Sequence, residues 1–262
     1  MAPARLTCPA VLGSILLAVA CRPGLRAQVT ETPVTIAPGS VLMRMDAISL
    51  GLEPDSAEPN QYRALALGTT IVSAGLTDSV DVEAGTQLFL RNTFSTSGSD
   101  HTQSGVGDFT LRTKWTFWRD APSGEEAAVI PYVVVPVNSS VVGNDFVEGG
   151  VILPWARDFG GGFRADAMAE WDEFRNVSNT RYDTRWYGSA VAQWDFGGRI
   201  GAYSEATLGL STAGSSSDTG TLGAGATLSL SKDFQWDFEA SKVVGSGRNQ
   251  WTETLRFRWK IL

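Results

Sequence analysis

D-F-T-L-R-T-K-W-T-F, residues 108–117, sorts its side chains by parity. Phe109, Leu111, Trp115 and Phe117 share one parity with only Thr113 among them, and Asp108, Thr110, Arg112, Lys114 and Thr116 take the other. Successive side chains of a strand point to opposite faces, so the segment has one apolar face and one charged face. A soluble sandwich with its polar face in water would show the same alternation. Two further features, a length of about ten residues and the aromatic cluster Trp115, Phe117 and Trp118 at one end, match a strand crossing a bilayer at a tilt. Its apolar face would meet lipid and its charged face an enclosed interior.

Working outward, strand-like segments follow at short intervals, at approximately 40–51, 61–75, 79–94, 105–118, 126–137, 146–157, 162–174, 181–195, 198–211, 220–231, 234–244 and 250–261. They number twelve, an even count as in single-chain bacterial barrels. The connections alternate in kind. Short turns such as Leu76–Asp78, Asp158–Gly161, Phe196–Gly198 and Lys232–Phe234, with the longer 119–125, fall on one side. Polar and mostly longer loops fall on the other: Leu52–Asn60, Ser95–Ser104, Asn138–Asp145, Arg175–Thr180 and Thr212–Thr219, with the short Gly245–Asn249. That asymmetry separates periplasmic turns from external loops. The expected fold is therefore an all-β transmembrane antiparallel barrel of about 12 strands in meander order, spanning residues 40–262.

The aromatic residues divide along the same axis. Trp115, Trp118, Trp155, Trp194, Trp236 and Trp259 fall at the expected periplasmic strand ends, and Tyr62, Phe94, Phe146, Trp171, Phe174, Tyr182, Trp186 and Trp251 towards the other. Two such belts are expected at the two headgroup levels. On the opposite parity the strands carry charge: Asp81, Glu83 and Arg91; Asp108, Arg112 and Lys114; Arg164, Asp166, Glu170 and Asp172; Arg181, Asp183 and Arg185; Asp237 and Glu239; Arg256, Arg258 and Lys260. Opposite signs recur on successive strands, where directly opposed pairs stabilise by up to ~1 kcal/mol each. Lipid would penalise each basic residue by ~2–4 kcal/mol at midplane, so these groups are expected to line the lumen. They would either frame a polar path for a small solute or interlock into a closed salt-bridge plug. Twelve strands enclose a lumen between the filled eight-strand barrel and the open porin.

The N-terminal part reads as a targeting segment. Arg5 precedes the apolar run Val11–Ala20, and Leu25-Arg26-Ala27 offers a small-residue cleavage site, so residues 1–27 are expected to be removed on export. Ala18-Val19-Ala20-Cys21 offers a rival reading as a lipidation box, without its usual leucine. Cleavage after Ala27 removes Cys8, Cys21 and three of the 21 basic residues (Arg5, Arg22, Arg26), leaving 18 against 28 acidic and a formal charge of −10. That balance argues against a nucleic-acid partner. Residues 28–39, Q-V-T-E-T-P-V-T-I-A-P-G, read as an extended periplasmic lead-in. The expected surroundings are the outer membrane of a Gram-negative-type cell, with its lipid and the barrel assembly machinery as partners.

Catalytic signals are sparse. A histidine-assisted hydrolase would depend on His101, the single histidine, beside Asp100 in a polar loop. No cysteine remains after processing, and no metal spacing or phosphate loop is present, so neither a metal, a cofactor nor an enzymatic activity is expected.

Short motifs also resemble a known family. Gly75-Leu76-Thr77-Asp78 followed by Ser79-Val80-Asp81-Val82, the stretch Gly105-Val106-Gly107-Asp108-Phe109 with Leu111 and Lys114, and Val133-Val134-Val135-Pro136 are similar to segments of the MetA-pathway phenol-degradation (transporter-like) outer-membrane proteins. The chain departs from them at Pro136-Val137-Asn138 and at its end, Trp259-Lys260-Ile261-Leu262, where such barrels finish on an aromatic residue. Leu255, Phe257 and Trp259 keep an outward apolar series there. The resemblance implies an outer-membrane barrel passing a small solute, hydrophobic or aromatic. The alternative is a closed structural or surface-interaction barrel with no conducting pore.

Overall fold

The computed structural model describes residues 30–53, 61–96, 99–137, 142, 146–175, 180–212, 219–244 and 250–262. The targeting segment, the rival lipidation at Cys21 and most of the long loops lie outside the described residues. Thirteen strands are present: β1 (Val41–Leu52), β2 (Gln61–Thr77), β3 (Val80–Thr96), β4 (Ser99–Gly105), β5 (Phe109–Asp120), β6 (Glu125–Val135), β7 (Glu148–Gly160), β8 (Phe163–Arg175), β9 (Tyr182–Asp195), β10 (Ile200–Ser211), β11 (Thr219–Ser229), β12 (Phe234–Val244) and β13 (Trp251–Lys260).

Twelve of them close into one antiparallel barrel. Each pairs with its sequence neighbours, β3 pairs with β5, and β1 pairs with both β2 and β13. Closure leaves no open edge, which a hydrocarbon surround would penalise. The extra strand β4 occupies the stretch expected to be the loop Ser95–Ser104. It pairs with Leu90–Thr96 of β3, above the segment Val80–Gly85 that pairs with β5, and so extends the wall upward as a hairpin. Its residues are polar and exposed, which explains why they read as loop.

Parity holds along most strands. In β5, Thr110, Arg112, Lys114 and Thr116 are buried, whereas Leu111, Trp115 and Phe117 are exposed on the outer surface. A register shift between Thr116 and Trp118 adds one residue, so that Phe117 and Trp118 both face outward. Parity fails in the upper part of β3. Gly68 takes a positive φ of 64° in β2, the β2–β3 pairing passes directly from Leu67↔Phe89 to Thr69↔Gln87, and beyond it Asn92 is buried while Arg91 is exposed. Arg91 therefore does not join the inward row.

The prolines fall mid-wall. Pro131 in β6 and Pro154 in β7 carry no N–H for a ladder bond. The β5–β6 pairing passes from Arg112↔Tyr132 to Trp115↔Val129, and the β6–β7 pairing passes from Ala127↔Trp155 to Ile130↔Ile152.

Of the segment expected as a periplasmic lead-in (28–39), residues 30–36 lie inside the barrel. From Ser40 the chain turns at Pro38–Gly39 and runs into the lumen, where Thr30, Glu31 and Pro33 are buried. The physical reason is pairing: Glu31 meets lumenal arginines, and backbone groups of this segment meet the inward side chains Asp81 and Lys114.

Candidate functional site

The lumen is lined by linked ionic groups, with one apolar patch among them on β6–β9. In the first of these groups, Glu31 of the lead-in stands between two wall arginines: Oε1 lies 2.9 Å from Arg112 Nη1 and Oε2 lies 3.2 Å from Arg44 Nη1. Arg112 Nε also donates to Glu83 Oε2. Glu83 Oε1 accepts from Ser73 Oγ at 3.0 Å and lies 3.6 Å from Lys114 Nζ. Three cations thus alternate with two carboxylates on β1, β3, β5 and the lead-in, and desolvation of each charge is offset by its neighbours. Asp81 accepts the Ile36 N–H at 3.2 Å, and Lys114 donates to the Val34 carbonyl at 3.4 Å.

The tip of the lead-in reaches the far wall. Thr30 N–H donates to Glu205 Oε1 at 2.6 Å, its hydroxyl lies 2.8 Å from Ser189 Oγ, and the Glu31 N–H meets Met168 Sδ at 3.3 Å. These partners sit on β8, β9 and β10, about five residues above the short-turn end, so the segment crosses the lower lumen.

A second ionic group closes the β10–β1 sector. Arg256 Nε donates to Asp46 Oδ1 at 3.1 Å, and its Nη1 donates to Glu239 Oε2 and to the Tyr203 hydroxyl, both at 3.0 Å. The Tyr203 hydroxyl in turn lies 3.1 Å from Glu239 Oε2. Tyr203 reaches β12 because the strand between, with L-G-A-G-A-T-L at 222–228, presents glycines inward. A Cβ on Gly225 would stand 2.3 Å from the tyrosine ring.

Of the other charged residues predicted for the lumen, Arg164 pairs with Asp166 at 2.9 Å, Arg185 with Asp172 at 2.7 Å, and Glu170 accepts from the Tyr132 hydroxyl at 2.7 Å. Asp183 is buried and pairs at 2.9 Å with Arg181, which stays exposed at the loop end. Asp108 is buried just ahead of β5 and accepts the Val137 N–H at 3.3 Å. Asp237 accepts from Gln235 Nε2 at 2.7 Å, and Arg258 donates to Gln235 Oε1 at 3.0 Å.

An apolar patch, not anticipated from the charged rows, also lies within the lumen. Ile130, Ile152, Met168 and Tyr187 on β6–β9 form a buried cluster, with Tyr132 packed against it. Ala128, Val134, Ala156 and Val191 on the same strands are also buried. β6 and β7 are apolar on both faces, so their parity does not tell inside from outside. Among the upper aromatics, Tyr62 and Phe174 are buried; Tyr62 donates to Asn92 Oδ1 at 3.0 Å, and Arg185 stacks over Phe174 at 5.0 Å. Of the predicted tryptophans, Trp115, Trp118, Trp194 and Trp259 are exposed, and Trp155 and Trp236 are half-buried. Ring pairs at the short-turn end include Phe163–Trp194 at 4.5 Å and Trp236–Phe257 at 5.4 Å.

A cavity of ≈570 Å³ remains beside the lead-in, lined from β8–β13 and from β1, β2, β3 and β5 (Leu42, Arg44, Ser73, Glu83, Lys114) and bordered by turn residues such as Gly160–Gly162 and Gly198. Among the described residues no group of three or more histidine, cysteine, aspartate or glutamate side chains is placed to hold a metal ion.

A closed twelve-strand antiparallel wall, ringed by exposed aromatics and holding buried charge within, is the fold of an outer-membrane barrel. The chain belongs to the family described as "Putative MetA-pathway of phenol degradation", whose model matches residues 59–261. Among solved structures it is similar to the COG4313 outer membrane channel from Pseudomonas putida F1, at TM-score 0.62 and 13% identity, covering 87% of this chain and 97% of that one. It is also similar to the translocator domain of the autotransporter NalP from Neisseria meningitidis (TM-score 0.54, 10% identity, 95% and 94% covered). A third is the Ralstonia pickettii toluene transporter TbuX (0.50, 8%, 88% and 92%). No curated protein matches by sequence.

Proposed function

We propose that this protein is an outer-membrane channel for passive passage of a small solute with an apolar, aromatic-sized body. The observation that carries the reading is an apolar patch inside a polar and charged lumen: Ile130, Ile152, Met168 and Tyr187 cluster on the inner face of β6–β9. Apolar side chains on the inner face offer contact to a solute with an apolar body that a purely ionic lumen would not. Similarity to channels, one of them named as a toluene transporter, supports the same class. Residues 1–27 serve as the export signal, and the short-turn end faces the periplasm. Outer-membrane lipid surrounds the outer face, and the barrel assembly machinery inserts it. No catalytic role is assigned.

The competing reading, a closed barrel, draws on the lead-in held by Glu31 and Thr30 across the lower lumen. Liposome uptake separates the two. A channel raises permeation of a monoaromatic such as toluene over empty liposomes, and a closed barrel leaves it unchanged.

A further inference from the structure

Arg44 on β1 and Arg258 on β13 are direct cross-strand partners. Like charges in that position are destabilising, and the exposed Lys260 stands opposite Leu42 two residues further along β13. Elsewhere in the lumen such cations meet carboxylates at close range: Arg112 with Glu31, Arg164 with Asp166, Arg256 with Asp46 and Glu239. Arg258 instead donates to a neutral amide, Gln235 Oε1 at 3.0 Å, and Gln235 in turn binds Asp237 through its other end. Arg44 spends Nη1 on Glu31; its Nε and Nη2 are removed from water and make no hydrogen bond, with Nη2 only in a 3.5 Å ion-pair contact with Glu83. Both arginines line the ≈570 Å³ cavity, as do Leu42 and the lead-in residues Val34 and Ile36.

We propose that this cavity holds a small carboxylate with an apolar body, its carboxylate bridging Arg44 and Arg258 and its body resting on Leu42, Val34 and Ile36. Guanidinium groups present paired N–H donors that match a carboxylate's two oxygens. An anion between the two arginines relieves their repulsion and supplies the partner that Gln235 does not. It would sit on the β1 side of Arg258, with Gln235 and Asp237 on the β12 side. The inference rests on the channel reading and narrows its solute class to aromatic or short-chain acids.

Benzoate and benzamide, alike in size and differing in charge, test it on the folded barrel in detergent micelles by titration calorimetry. The expected result is benzoate binding at least tenfold tighter than benzamide. Arg258→Gln is expected to reduce benzoate affinity at least tenfold without moving benzamide. Gln235→Glu keeps Arg258 but places a carboxylate on it, and is expected to weaken benzoate equally; it decides the matter should Arg258→Gln not fold, folding being read from a gel mobility that shifts on heating. Equal binding of the two probes, no benzoate binding, or wild-type affinity in the folded variants would overturn the site. Ion conductance in planar bilayers, recorded in potassium chloride alone, tests the channel separately. A conducting barrel that ignores benzoate rejects only the site, and a benzoate-binding barrel that never conducts rejects only the channel.

Discussion

Glu31 Oε1 lies 2.9 Å from Arg112 Nη1, joining a segment that precedes the first strand to the middle of β5. The contact makes the lead-in part of the barrel interior. It also fixes how the three cations Arg44, Arg112 and Lys114 share only two carboxylates, Glu31 and Glu83.

Glu31→Gln removes one of those two carboxylates while keeping the side chain's shape. Breaking a buried ion pair from one side costs ~3 kcal/mol. The variant is expected to unfold at lower urea concentration in detergent, read by the loss of the heat-shifted gel form. A wild-type unfolding midpoint would mean that Glu31 does not hold the lead-in.

Gly225 leaves room for the ring of Tyr203 on its way to Glu239 and Arg256. Gly225→Ala puts a methyl group into that ring and is expected to destabilise by about 1–3 kcal/mol. In a Tyr203→Ala background the same change should cost much less, since the clash is gone. Additive losses in a thermal unfolding series would contradict the packing.

Leu111 and Arg112 are sequence neighbours on opposite faces, one 45% exposed on the outer wall and the other within the ionic cluster. Leu111→Arg places a guanidinium in lipid and is expected to cost ~2–4 kcal/mol near midplane. The check is folding yield into lipid vesicles. An undiminished yield would mean that the face is not lipid-exposed.

Ile152 is buried in the apolar lumenal cluster. Ile152→Asp is expected to lower toluene permeation into liposomes roughly tenfold, the factor that ~1.4 kcal/mol of lost apolar contact produces. Unchanged permeation in the folded variant would remove this cluster from the path.

The barrel was legible in the sequence wherever a strand has one lipid face and one charged face. β5 and β8 are read correctly from parity alone, because Arg112 and Lys114, or Asp166 and Glu170, cannot face hydrocarbon. The interior apolar cluster was not legible. Ile130 and Ile152 lie on strands with apolar residues of both parities, so alternation carries no sign of which face is inside. The lead-in was missed for a different reason. Thr30 to Ile36 makes no ladder and has no alternation, and its placement depends on charges brought together only after the barrel closes. Glu31 in T-E-T-P reads as any polar linker residue until Arg44 and Arg112 stand beside it. Strand β4 escaped notice because an exposed polar hairpin extension carries no apolar face to mark it.

The central claim is that the barrel is a channel whose lower lumen is narrowed by residues 30–37. Single-channel conductance in planar bilayers, compared between the full protein and a form lacking residues 30–37, tests it most directly. The account predicts a small conductance for the full protein and a severalfold larger one for the shortened barrel. Equal conductance in the two would contradict the narrowing, and no conductance from either folded form would contradict the channel itself.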